Sequence, residues 1–156
     1  MGYGTIWRLG HESEARLLWE DRFPARRPTI DVKFITGIEL QMLRCRLHGL
    51  TAFDPTVEVC ELAFPKTSDP EWEEFYQNVE EDYNRAIDTV RPDFIAELCA
   101  IKPAEVASLG AAWGAGCEGW WHKEWPDHTT WALGEFVRLA RAATKRQMCI
   151  FAKEFG

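Results

Sequence analysis

The chain has 156 residues, of which 46% are hydrophobic and 28% charged, and a formal net charge of -7. That length and apolar fraction suit a single globular domain with its own core, and they exclude a disordered chain. The negative charge argues against a nucleic-acid partner, which calls for a cationic surface to replace phosphate counterions, and favours a partner with a basic surface.

Residues 3–8 (YGTIWR) read as a short strand, and residues 12–20, with Ala15, Leu17, Leu18 and Trp19 apolar, as a short helix. Two prolines and three arginines make 21–29 a loop. Ile30, Val32 and Phe34 alternate within 30–35 as in a half-buried strand. Thr36-Gly37-Ile38-Glu39 forms a capping box, in which the Thr hydroxyl accepts from the first turn and Glu39 reaches back to the cap amide. The helix that follows is apolar at 40, 43, 47 and 50, and also at 42, and Gly49 is placed to end it.

Residues 56–63 (TVEVCELA) suggest a second strand. Ser68-Asp69-Pro70-Glu71 combines a cap, a proline for the first turn and acids near the positive helix end. Trp72, Tyr76, Val79, Tyr83, Ile87 and Val90 then recur every three or four residues, which predicts one face of a long helix broken at Pro92. A short helix follows through Phe94 and Cys99, and another starts at Pro103 and ends at Gly114 and Gly116. The stretch 117–127 (CEGWWHKEWPD) reads as a loop. Asp127 caps a final helix over about 128–146, with Trp131, Ala132, Phe136, Leu139, Ala140 and Ala143 inward, and 148–152 forms a last strand. The expected fold is α+β: a single domain over 1–156, with about six helices packed on a small sheet of three to four strands.

The N-terminal segment lacks the apolar run of a signal peptide, and no stretch approaches the length of a membrane span. The cytoplasm is the expected location. The five cysteines (45, 60, 99, 117, 149) are odd in number and contain no CxxC pair, so reduced thiols are expected. Cys117, His122 and His128 have no standard zinc spacing, and no P-loop, dinucleotide fingerprint or nucleophile elbow occurs. No metal, cofactor or catalytic residue is therefore expected.

Two surfaces stand out as candidates. Seven carboxylates and no Lys or Arg lie between Asp69 and Asp82, and on a helix Glu73, Glu74, Glu80 and Glu81 share one arc. That arc is either a solvated face or a docking surface for a basic partner. Five tryptophans (113, 120, 121, 125, 131) fall within nineteen residues, with glycines 110, 114, 116 and 119 among or just before them. They form a packed aromatic cluster, a pocket or an interface. Arg138, Arg141, Lys145 and Arg146 complement the dipole of the last helix.

The second half, KPAEVASLGAAWGAGCEGWW followed by WPDHTTWALGEFVRLARAATKRQMCIFAKEF, resembles small bacterial proteins encoded beside polymorphic toxins, several of which are immunity proteins. IDVKFITGIELQMLRCRLHG has a similar strand, capped helix and glycine stop. The resemblance implies a non-catalytic protein that binds and occludes a cognate toxin, and it transfers no site residues. On that reading Glu73, Glu74, Glu80 and Glu81 meet the partner, with Trp120, Trp121 and Trp125 as apolar anchors. The alternative reading is a small-molecule-binding protein or minor enzyme using the Trp-lined 113–131 segment. A homodimer through the aromatic patch is a third.

Overall fold

The structure, a computed structural model, describes residues 3–78, 86–117 and 120–155. Five strands form one antiparallel sheet: β1 (Gly4–Gly10), β2 (Thr29–Lys33), β3 (Cys60–Phe64), β4 (Ile87–Val90) and β5 (Cys149–Phe155), in the order β2-β1-β5-β4-β3. Seven α-helices are described: α1 (Ala15–Trp19), α2 (Gly37–Leu47), α3 (Trp72–Gln77), α4 (Pro92–Cys99), α5 (Val106–Gly116), α6 (Trp120–Glu124) and α7 (His128–Arg146). The fold is α+β, and its sheet has more strands than the three or four expected. No described helix is long and apolar enough to cross a membrane.

Strand alternation sorts the core into two unequal parts. Trp7 and Leu9 of β1, Ile30 and Val32 of β2, Val90 of β4 and Ile150 and Ala152 of β5 face a layer built from α2, α4, α5 and α7. Phe151 and Ile87 point the other way, onto Ala15, Leu18, Phe23 and Phe64 around α1. The long helix α7 lies over the middle of the first face. Its Phe136 meets Trp7 edge-on at 5.3 Å, and Ala132, Leu133, Leu139 and Ala140 are fully buried.

Helices α5 and α7 cross at very short range. A Cβ added to Gly110 would lie 2.6 Å from Thr130 Cα, and one added to Gly114 would lie 2.5 Å from Thr129 Oγ1. Buried Thr129 donates its hydroxyl to the Gly110 carbonyl at 2.8 Å, so the crossing also satisfies a polar group away from water. These two glycines therefore serve helix packing and do not line a pocket.

Several local signals appear as expected. Thr36 N–H donates to Glu39 Oε2 at 2.7 Å and Ile38 N–H to Thr36 Oγ1 at 3.4 Å, completing the capping box of α2. Gly49 takes a left-handed φ of +76° just past that helix. The last helix and strand lie where predicted. All five cysteines are free.

The long helix through Val90 is not formed. Among the described residues of 72–90 only Trp72–Gln77 is helical and Ile87–Val90 is strand β4, while Val79 and Tyr83 lie outside the described residues. The spacing of Ile87 and Val90 fits a helix face, but it also fits the two buried ends of a four-residue strand, and three of the four residues are β-branched. Pro92 begins α4 at its first turn, as proline readily does, and breaks no helix. The helix that does form caps on Glu71, not Ser68, while the Asp69 carboxylate accepts from Lys66 N–H at 2.6 Å and holds the preceding turn. It buries Phe75 and leaves Tyr76 67% exposed, so its inward face is rotated from the one expected.

The second strand begins later than 56, because Thr56 donates both its amide and its hydroxyl to Asp54 Oδ1 in a turn. The 117–127 loop contains the short helix α6. Asp127 stands at the cap position of α7 without a side-chain capping bond.

Candidate binding surface

The tryptophan cluster divides between core and surface. Trp113 and Trp121 are 1% and 2% exposed, whereas Trp125 and Trp131 are 46% and 48% exposed. Trp121, expected as a partner anchor, is a core residue, and Trp131, expected inward, is on the surface. The side chain of Trp120 lies outside the described residues.

The exposed indoles rest on a built platform. Phe34, just past β2, has φ +64°, a left-handed conformation that is costly for an aromatic residue. Its N–H donates to the Tyr3 carbonyl at 2.7 Å, and the Tyr3 ring meets it edge-on at 5.7 Å. The Phe34 ring runs parallel to buried Trp121 at 6.0 Å and to exposed Trp125 at 5.4 Å. At the start of α7, His128 stacks on Trp131 at 5.7 Å and takes the edge of Trp121 at 5.8 Å. His128 Nε2 lies 2.8 Å from the Lys33 carbonyl, which can only accept, so Nε2 carries the proton and the ring is fixed.

Trp121 is thus the shared support of two aromatic stacks. Between them lies a groove of about 480 Å³ lined by Asp31, Lys33, Phe34, Trp125, His128 and Trp131. Asp31 and Lys33 alternate outward along β2 and put one charge of each sign at its edge. An aromatic floor with a polar rim is suited to binding.

The acidic candidate lies elsewhere. Glu73 and Glu74 are exposed on α3, beside a shallow groove in which Trp72 and Tyr76 stack at 6.1 Å. Glu80 and Glu81 lie outside the described residues. The segment leading into α3 is tied to α1, since Arg16 pairs with Glu71 and with Asp69, and α1 covers β3 and β4. The aromatic groove borders β2, at the opposite edge of the sheet. Four strand spacings of about 4.8 Å put the outer strands roughly 19 Å apart. The acidic and aromatic candidates are therefore two surfaces and not one continuous patch.

Several other residues singled out by sequence have structural partners. His128 is engaged by the Lys33 carbonyl, and burial, aided by Glu39, pushes the Cys117 thiol up to about 12. Arg141 donates to the Ile101 carbonyl at 2.9 Å, Arg138 pairs with Glu135, and Arg27 pairs with Glu14. The sequence marks Phe34 only as an alternating strand residue, but β2 ends at Lys33, and the role of Phe34 depends on the turn after it meeting α6 in space.

No known protein family, curated protein or solved structure matches this chain.

Proposed function

We propose that this chain is a non-catalytic binding protein of the immunity kind, which neutralises a cognate bacterial toxin by occluding it. The observation that carries the reading is the pair of half-exposed indoles, Trp125 and Trp131, stacked on Phe34 and His128 over a buried Trp121. Preordered tryptophans with a polar rim are the residues that dominate binding energy at protein interfaces. Little side-chain entropy remains to be lost when they dock. The net charge of -7 and the exposed Glu73 and Glu74 favour a basic partner, steering its approach from the other edge of the sheet. The proposed partner is a protein, with no role for nucleic acid, membrane, metal or cofactor.

The test is complex formation with the toxin domain encoded beside the gene. Trp125→Ala and Trp131→Ala should each weaken the complex about thirtyfold or more, as expected for hot-spot truncations near 2 kcal/mol. Glu73→Lys/Glu74→Lys should weaken it by about tenfold, mainly through a slower, salt-dependent association rate. Unchanged affinity in both tryptophan variants would remove this groove from the interface.

A second reading is a small-molecule site in the same groove, favoured by its volume of about 480 Å³, which falls in the range of ligand pockets. Ligand-induced quenching of Trp125 and Trp131 fluorescence without a protein partner would favour it. Dimers in light scattering that dissociate in Trp125→Ala would instead assign the groove to self-association.

A further inference from the structure

A second, larger cavity among the described residues is separate from the aromatic groove. It holds about 800 Å³ where α4 and the last turns of α7 pass over the ends of β3, β4 and β5. The space exists because the elements meet there through small side chains: Ala63, Ala96, Cys99, Ala143 and Cys149. Larger residues at these positions would close it, and filling a void with apolar atoms is the ordinary way to gain stability. Its apolar body is completed by Leu62, Val90 and Ile95 on the α4 face and by Phe151 on the α1 face, so the cavity passes the ends of β4 and β5 from one face of the sheet to the other. The volume lies within the range of small-molecule sites.

The charged groups at its edge give the cavity a sign. Glu12 and Glu61 both line it, and among the described residues neither forms an ion pair. Glu12 sits close enough to Cys149 to add to the burial that raises this thiol. Among the described lining residues Lys66 is the one cation, so two carboxylates face one ammonium, and Arg91, which Glu61 also influences, lies outside the lining and is already paired with Glu58 and Asp93. An apolar interior with a net negative mouth is complementary to an amphiphile whose head is positive.

We propose that this cleft binds a small alkylammonium compound, with its apolar chain between α4 and β4 and its cationic head at Glu12 and Glu61. The site is independent of the aromatic groove and of the toxin-binding reading.

Isothermal calorimetry with decylammonium, decanol and decanoate, all below micelle formation, tests it. Decylammonium should bind about tenfold more tightly than decanol or decanoate, a difference near 1.4 kcal/mol. Ala96 is exposed at the cleft wall, so Ala96→Trp should fill the space and weaken decylammonium by about tenfold or more. Glu12→Gln/Glu61→Gln should lower decylammonium to the level of decanol and leave decanol unchanged, while the distant Glu73→Gln/Glu74→Gln pair should change neither. Decanoate binding as tightly as decylammonium would overturn the proposal. So would an unchanged affinity in a folded Ala96→Trp variant, or an equal loss in the distant pair, which would reduce the effect to net charge. The two glutamate variants alter exposed positions only, so they decide the matter even if Ala96→Trp fails to fold.

Discussion

Arg44 Nε lies 2.7 Å from Glu97 Oε2, joining α2 to α4 through a guanidinium that is only 7% exposed. The same group pairs with Asp93 at 3.2 Å and donates to the Glu58 carbonyl just before β3, while His48 meets the other oxygen of Glu97. One buried cation therefore fastens two helices and a strand entry. Removing one partner of a fully buried pair costs about 3–5 kcal/mol, but Asp93 and Glu97 are 53% and 27% exposed, so the loss here is smaller, about 1–3 kcal/mol. Arg44→Met should lower unfolding free energy by that order in urea denaturation. Arg44→Met combined with Glu97→Leu should recover part of the loss, because neither charge is then left unpaired. A fully additive double variant would show that the two residues act separately.

The glycines of α5 and α7 should respond to alanine in opposite directions. Gly110→Ala forces a Cβ into the Thr130 backbone and should destabilise by about 1–3 kcal/mol, the cost of overpacking. Gly134, within α7, has Val106 Cγ1 at 4.0 Å as the nearest atom to an added Cβ. Gly134→Ala should stabilise by about 0.5–1 kcal/mol through helix propensity. Paired thermal melts of the two variants check both signs.

The two kinds of tryptophan should separate in the same way. Trp121→Ala removes a core ring and should cost about 3–5 kcal/mol. Trp131→Ala, at a half-exposed position, should cost less than about 1 kcal/mol while abolishing most binding. A large stability loss in Trp131→Ala would make that ring a structural residue.

Asp88 gives the fold a pH dependence of unusual sign. Burial on the sheet, and then the charge of Glu154, raise its carboxyl from the usual 3.8 to about 6. The folded state thus holds the proton more tightly than the unfolded chain. This contribution is intact at pH below the unfolded value, is lost as pH climbs toward 6, and is constant above it. Between pH 4 and pH 7 the group should remove about 2 kcal/mol of stability. Asp88→Asn, which cannot ionise, should gain stability relative to wild type by that order over the same interval in denaturant titrations. An identical pH profile for the two proteins would exclude Asp88 as the source.

Much of this fold is legible in the sequence where local chemistry decides it. The Thr36–Glu39 capping box, the left-handed Gly49 and the apolar stripe of α7 each act within a few residues, and each appears as read except that Trp131 of the stripe faces outward. Ile87 to Val90 was ambiguous because four residues satisfy both a helical and a strand spacing, and pairing with β5 settles it. The aromatic groove is only half legible. Clustering of tryptophans marks the region, but which rings are buried depends on where α6 and α7 meet β2. Phe34 joins them through a backbone turn that no sequence pattern announces. The acidic run, by contrast, is evident from composition, while its distance from the tryptophans depends entirely on strand order.

That order also bears on how the molecule comes into being. β5 is the latest of the described strands to be synthesised, yet it sits between β1 and β4 and bonds to both. Until residues 149–155 have emerged, the β1–β2 ribbon and the β3–β4 ribbon have no common edge, and two-stranded ribbons alone are marginal in water. The two ribbons therefore join into one sheet only when this closing segment pairs with both. Loss of that segment would leave two incompatible halves in place of a slightly weakened protein.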